Sequence, residues 1–139
     1  MYEPRKFEDI KIGEKASISR SYSEEDVELF VQVSQDHNPI HSSEYYAKTT
    51  RFKRRIVPGL LTASMISGVL GTKLPGYGTI YVAQELKFLL PVYFGDNLTC
   101  EVEVIEKIEA KRIIILDTKI VNQDSAVVIS GKATVMLES

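Results

Sequence analysis

Residues 56–72 read IVPGLLTASMISGVLGT, a run of seventeen residues without a charged side chain. The run is short for a membrane span and contains Pro58 and three glycines, so it predicts a buried helix in a globular core. Pro58 suits the first turn of that helix, where the missing N–H is not needed for an intrahelical bond. Because a helix that is apolar all round must be covered on all sides, we expect the rest of the chain to wrap around it.

The second half of the chain has the pattern of strands that would form this cover. In residues 98–104, LTCEVEV, apolar residues and Cys100 alternate with Thr99, Glu101 and Glu103. Short turns between consecutive strands predict antiparallel pairing. A sheet of about five strands curled around one central apolar helix is an α+β architecture, the hot-dog fold. The strand patterns lie at 79–92, 97–108, 111–123 and 126–137.

The composition predicts one domain, residues 1–139, with 44% hydrophobic residues and a net charge of −2. Interspersed charges argue against nucleic acid as a partner, because phosphate binding requires a strongly positive surface. Cys100 is the single cysteine and is expected in the core, so it cannot form an internal disulfide. No Cys/His cluster has zinc spacing, so we expect no metal, and we expect no cofactor. The N-terminal MYEPRKFEDIKIGEK lacks a signal-peptide apolar segment, and we expect a cytoplasmic location without a membrane partner.

The first half of the chain predicts a helix within SYSEEDVELFVQVSQD. Ser23 is the expected N-cap, and three acidic residues follow it at the first turn, where the helix dipole favours negative charge. Pro39 disfavours helical angles at the preceding residue, so the helix should end near Asp36. The segment HSSEYYAKT is expected to form one or two further turns. A narrow buried stripe is predicted at Val27, Phe30, Val31 and Ser34.

The stretch SQDHNPIH, residues 34–41, contains both histidines of the chain, His37 and His41. Either Asp36 or His41 alone would suit a structural role in a turn. Together, five residues apart around an Asn-Pro turn and upstream of a helix N-terminus, they favour a positioned acid–base pair. His37 is expected to lie on the surface.

Residues 34–96 resemble the MaoC-like, (R)-specific enoyl-CoA hydratases. The matching elements are D-x-N-P-x-H, T-x-F, I-V-x-G-x-L leading into S-G-x-L-G, and L-P-G, followed by a strand with Y…Q…F…P-V and a Gly-Asp turn. The resemblance implies a hot-dog lyase of fatty acid metabolism. It also implies the reversible syn hydration of trans-2-enoyl-CoA to (R)-3-hydroxyacyl-CoA.

The resemblance also implies roles for individual residues. Asp36 and His41 would hold and activate the water, the Gly59 N–H would serve as oxyanion donor, and Ser67 would line the acyl pocket. Many close relatives carry His where this chain has Pro58. Because the donor belongs to Gly59, we expect the oxyanion hole to be intact.

Further candidate substrate contacts are Asn38, which is also expected to form the turn, and the cations Arg54 and Arg55. The two arginines belong to the basic run of residues 51–55, RFKRR. Such a run is either a solvated loop or a binding site for the phosphates of coenzyme A, since arginine binds phosphate readily.

Two other functions are compatible with the sequence. One is a thioesterase on the same fold, and the other is a non-catalytic acyl-CoA-binding subunit. No G-x-S-x-G elbow surrounds Ser64 or Ser67, which argues against a serine hydrolase. Open sheet edges in proteins are paired or protected, so we expect at least a homodimer. The acyl chain length and the carrier, coenzyme A or acyl carrier protein, are left open.

Overall fold

The structure, a computed structural model, describes residues 2–138. Four helices and five strands make up the domain, with 3-10 turns at Phe7–Asp9 and Glu109–Lys111. The helices are α1 (Glu24–Ser34), α2 (Pro39–Ser42), α3 (Glu44–Ala47) and α4 (Gly59–Thr72). The strands are β1 (Lys15–Arg20), β2 (Ile80–Phe88), β3 (Leu98–Ile108), β4 (Ile113–Val121) and β5 (Val127–Met136).

The five strands form one antiparallel sheet in the order β1-β3-β4-β5-β2. The expected meander of β3, β4 and β5 is confirmed, but β2 pairs with β5 instead of its successor β3. The reason lies in residues 89–97, which cross the start of α4, where the Val57 N–H donates to the Val92 carbonyl at 2.7 Å. The sequence reading also missed β1, because only Ala16 and Ile18 of this short edge strand pack against the core.

The helix α4 lies in the concave face of the sheet, as the charge-free run predicts. Ile66, Val69 and Leu70 are 0–1% exposed, and each such burial contributes about 1.5–3 kcal/mol. No helix in the described part of the chain is long and apolar enough to cross a membrane. The alternation predicted for β3 is confirmed, since four of its side chains are 0–1% exposed: Leu98, Cys100, Val102 and Val104.

The expectation that α4 is covered on all sides is wrong for the single chain. Leu60 is 62% exposed, and Ser64 and Ser67 are also exposed. This uncovered flank adjoins β2, which is an edge strand and has no neighbour beyond it within residues 2–138. The sheet therefore encloses three sides of the helix and leaves the fourth open.

The helix α1 begins and ends as predicted. Ser23 and Asp26 form a capping box at its start, and Gln35 closes its end at φ 64°, with its N–H donating to the Val31 carbonyl. Of the predicted stripe, Val27 is buried and Ser34 is exposed. The short helices α2 and α3 account for the further turns expected after the Asn-Pro pair.

Cys100 is a core residue, as the sequence suggested. Its side chain is buried in β3, and this burial raises the pKa of the thiol to about 12. The thiolate, which is the reactive form, is therefore scarce at neutral pH.

Candidate active site

Asp36 lies on the short connection between α1 and α2, and local hydrogen bonds hold that connection in place. The Asp36 N–H donates to Ser34 Oγ at 3.1 Å, and Asp36 Oδ1 accepts the Asn38 N–H at 3.1 Å. Asn38 Oδ1 in turn accepts the Ile40 N–H and caps α2. Asn38 therefore acts as the turn former, and its side-chain oxygen is engaged with the backbone.

The imidazole of His41 is buried, with 8% exposure, and its two nitrogens have different partners. Nδ1 lies 2.8 Å from the carbonyl oxygen of Ile56, which can only accept, so Nδ1 carries the proton of the neutral ring. Nε2 faces Asp36 Oδ2 at 3.7 Å. Both facing atoms are acceptors at a separation that suits a shared water better than a direct hydrogen bond.

A cavity of about 590 Å³ opens beside this pair. Asp36 and Ile56 line it, and His41 lies behind them. Most of the remaining wall is apolar, which suits an acyl chain. Its other lining residues include Phe30, Ser34, Arg51, Phe52, residues 57–60, Thr62, residues 88–92 and Ile129.

The N-terminus of α4 forms one wall of the cavity. The Leu61 and Thr62 N–H groups both donate to the Pro58 carbonyl at 3.1 Å. No acceptor within residues 2–138 takes the Gly59 N–H, which is thus free at the positive end of the helix dipole. A side chain at Gly59 would bring a Cβ within 2.7 Å of the Phe88 ring, so glycine allows Phe88 to pack closely against the start of α4.

The structure separates the cations of the basic run. Arg55 is 18% exposed and forms ion pairs with Glu24 and Glu44, the latter at 2.6 Å. The hydrogen bond from Arg55 lowers the pKa of the Glu44 carboxyl. Arg54 stacks on Tyr93, with its guanidinium carbon 3.9 Å from the ring centroid. Arg51 is the cation of the run that lines the cavity.

Ser67 does not join the other predicted site residues. It lies in a second groove of about 340 Å³, on the uncovered flank of α4 beside β2. Thr62 and Phe88, which the sequence reading did not single out, do line the cavity. Thr62 follows Gly59 by three residues, and this i, i+3 spacing is the signal that places it on the same helix face.

The comparisons with known proteins agree with this architecture. The chain is 49% identical to the "(R)-specific enoyl-CoA hydratase" of Rhodospirillum rubrum over 94% of this chain and 90% of that protein. The solved "(R)-hydratase from A. caviae involved in PHA biosynthesis" superposes with a TM-score of 0.90 at 44% identity, covering 93% of this chain and 98% of that one.

A second solved structure, an unliganded R-hydratase from Pseudomonas aeruginosa, superposes with a TM-score of 0.90 at 41% identity. The match covers 98% of this chain and 86% of the Pseudomonas aeruginosa chain. Residues 7–125 match the family model described as "MaoC like domain". With a hot-dog fold and relatives of this similarity along most of its length, the chain belongs to the MaoC-like domain family.

Proposed function

We propose that this protein is an (R)-specific enoyl-CoA hydratase, a hydro-lyase that reversibly converts trans-2-enoyl-CoA to (R)-3-hydroxyacyl-CoA. The proposal is carried by the Asp36–His41 pair, with 3.7 Å between Oδ2 and Nε2, beside a cavity that Gly59 also lines. The substrate class and the R configuration rest on the names of the similar proteins.

The pair activates water by orienting it. With its Nδ1–H donating to the Ile56 carbonyl, His41 offers the lone pair of Nε2, and the Asp36 carboxylate offers Oδ2. A water between them donates one O–H to each acceptor and turns a lone pair toward the cavity. That lone pair attacks C3 while one proton of the water passes to the Asp36–His41 pair.

The charge that develops on the substrate is stabilised by α4. As the oxygen–C3 bond forms, the π electrons of the double bond move onto the thioester oxygen, which the Gly59 N–H and the helix dipole stabilise. The resulting enolate takes the proton at C2 and regenerates the carbonyl, so one water is added in total. Because the pair stands on one side of the substrate, hydroxyl and proton arrive on the same face, which is syn addition.

The test is to mix the protein with crotonyl-CoA, follow the loss of the conjugated enoyl absorbance, and determine the configuration of the product. We expect (R)-3-hydroxybutyryl-CoA and no free thiol. Release of free coenzyme A would instead identify the thioesterase, and binding without turnover would identify the non-catalytic subunit. Repeating the assay with the acyl-carrier-protein thioester decides which carrier is preferred.

We further propose that Arg51 and Arg54 contact the phosphates of coenzyme A. Arg51 lines the cavity, and Arg54 is exposed on the same loop, between α3 and α4. Arg55 was the other expected phosphate ligand, but its two carboxylate partners already neutralise it, so we assign it a structural role.

Arg51→Ala and Arg54→Ala are each expected to raise KM for crotonyl-CoA severalfold with little change in kcat, because the nucleotide end is remote from the reacting carbons. The increase should diminish at high salt, where exposed charges are screened. Lys111→Ala is the matched control, because Lys111 is an exposed cation in the β3–β4 connection. This connection lies near the C-terminal end of β5, whereas Ile129, which lines the cavity, lies near its other end. If KM and its salt dependence are unchanged in both arginine variants, the basic run of residues 51–55 is only a solvated loop and does not bind phosphate.

We also propose a homodimer in which the β2 edges of two copies pair and cover the open flank of α4. The two sheet edges differ in character: β1 presents Lys15, Ser17, Ser19 and Arg20, which discourage pairing, whereas β2 presents apolar side chains. Leu60 lines both the cavity and the open flank, so this arrangement would bring the active site close to the interface. The exposed apolar residues of β2 are Ile80 (43%), Tyr81 (42%), Val82 (53%) and Phe88 (53%).

Sedimentation at micromolar concentration is expected to give a dimer for the unmodified protein. Val82→Glu should shift it toward monomer, since the new carboxylate would be buried at the proposed interface. Val33→Glu, on the exposed face of α1, is the control and should remain dimeric. A monodisperse monomer of the unmodified protein would refute this assembly.

A further inference from the structure

The hydroxyl of Thr62 stands out among the buried polar groups. Thr62 is 0% exposed and lines the same cavity as Asp36. Within residues 2–138, its Oγ1 is the only buried side-chain nitrogen or oxygen atom that has no hydrogen-bond partner. Buried polar groups are almost always paired, so an orphan at the wall of a reaction cavity calls for an explanation.

The reason for the missing partner is local. A threonine in a helix usually donates its hydroxyl to the carbonyl four residues earlier, as Thr72 does to Gly68 at 2.6 Å. For Thr62 that carbonyl belongs to Pro58, and it already accepts the N–H groups of Leu61 and Thr62. Both lone pairs of the Pro58 oxygen are therefore in use.

Helix geometry directs the Thr62 side chain toward the turn that carries the proposed oxyanion donor. In a helix the Cα–Cβ bond tilts toward the N-terminus, so a side chain covers the turn before its own residue. For Thr62 that turn begins at Gly59, whose N–H is free. Threonine also has two accessible χ1 rotamers in helices, so the hydroxyl can turn toward a ligand at this wall.

We propose that the Thr62 hydroxyl is a second hydrogen-bond donor to the thioester oxygen, acting together with the Gly59 N–H. The inference rests on the proposed hydratase function. It explains why a polar side chain occurs among the otherwise apolar buried residues of α4: the hydroxyl gains its partner when the substrate carbonyl binds. The hydrogen bond strengthens as that oxygen becomes an enolate.

The test compares Thr62→Val, which keeps the shape and removes the hydroxyl, with Thr62→Ser, which keeps the hydroxyl. Thr62→Val should lower kcat for crotonyl-CoA hydration by about ten- to hundredfold, the range for a lost hydrogen bond to a charged group. KM should change little, since the charge develops in the transition state. Thr62→Ser should stay within about threefold of the unmodified enzyme.

Thermal stability separates this role from packing. Thr62→Val replaces an unpaired hydroxyl with a methyl group, so the free protein should be as stable as before or more stable. Thr118→Val is the matched control. That threonine is also buried, at 2% exposure, but its Oγ1 accepts a hydrogen bond from Gln84 Nε2 at 3.0 Å. Its loss should lower stability and leave kcat unchanged.

A spectroscopic measurement adds an independent readout. The infrared carbonyl stretch of bound, carbonyl-labelled butyryl-CoA should lie at lower frequency in the unmodified protein than in Thr62→Val, because a second donor polarises the bond. The inference is overturned if Thr62→Val keeps kcat within twofold, or if Thr62→Ser is as slow as Thr62→Val. Should the valine variant fold poorly, Thr62→Ala against Thr62→Ser makes the same comparison. Failure of the unmodified protein to hydrate crotonyl-CoA would refute the proposed function instead.

Discussion

Asp36→Asn is expected to lower kcat for hydration of crotonyl-CoA by roughly 10²–10⁴, the usual cost of losing a positioned acid or base. Asparagine keeps the size of the side chain and can still accept the Asn38 N–H that Asp36 Oδ1 now accepts. What is lost is the negative charge at Oδ2, 3.7 Å from His41 Nε2. The measurement is steady-state kinetics on folded protein of unchanged oligomeric state.

His41→Gln should cost a similar factor, because glutamine has no ring nitrogen that could accept a proton from the water. The double variant should be little slower than the slower single variant, since both side chains act on the same water and such effects are not additive. His37→Gln is the control: His37 is exposed in the connection between α1 and α2 and has no assigned role, so the kcat of this variant should remain near that of the unmodified enzyme. A folded Asp36→Asn enzyme with unchanged kcat would exclude the mechanism proposed here.

Gly131→Ala is expected to have the largest effect on stability. Gly131 lies in β5 between Leu86 of β2 and Thr118 of β4, and a Cβ there would lie 1.8 Å from the carbonyl oxygen of Glu85. Because that oxygen belongs to the backbone, it can move only if the β2–β5 pairing distorts. We expect a loss of about 3 kcal/mol in the free energy of unfolding and a fall in Tm of roughly 10 °C.

Gly71→Ala is the matched substitution for this experiment. Gly71 lies inside α4, and within residues 2–138 a Cβ there would meet no atom outside the neighbouring helix backbone within 4 Å. Alanine is the better helix former, so this change should stabilise the protein by about 0.5–1 kcal/mol. Both variants must be compared at one protein concentration, because association contributes to apparent stability. Equal Tm values for the two variants would contradict the close approach of β2 and β5 at Gly131.

The fold class and the candidate acid–base pair were predictable from the sequence for different reasons. The charge-free run in residues 56–72 and the two-residue alternation in β3 are local consequences of which faces are buried. Asp36 and His41 lie within six residues, and the turn between them is held by hydrogen bonds between near neighbours. Burial patterns and hydrogen bonds between near neighbours can be predicted from the sequence alone.

Contacts between distant parts of the chain were less accessible. Arg55 was expected to bind phosphate, yet its partners are Glu24 and Glu44, 31 and 11 residues away. The family resemblance implied that Ser67 lines the acyl pocket, yet Ser67 lies in the groove on the open flank beside β2. In both cases the assignment depended on which element packs against the residue, and residue type does not carry that information.

Local patterns in the sequence were enough to predict that an antiparallel sheet packs on an apolar helix, and that an acid and an imidazole precede that helix. Contacts between distant residues set the pairing of β2 with β5 and the hydrogen bond of His41 Nδ1 to the Ile56 carbonyl, 15 residues away. They also leave Thr62 Oγ1 without a hydrogen-bond partner within residues 2–138. Periodicity reports only which side of an element is buried. The identity of the covering atoms, and hence each group's hydrogen-bond partner, is set only when the chain has closed on itself.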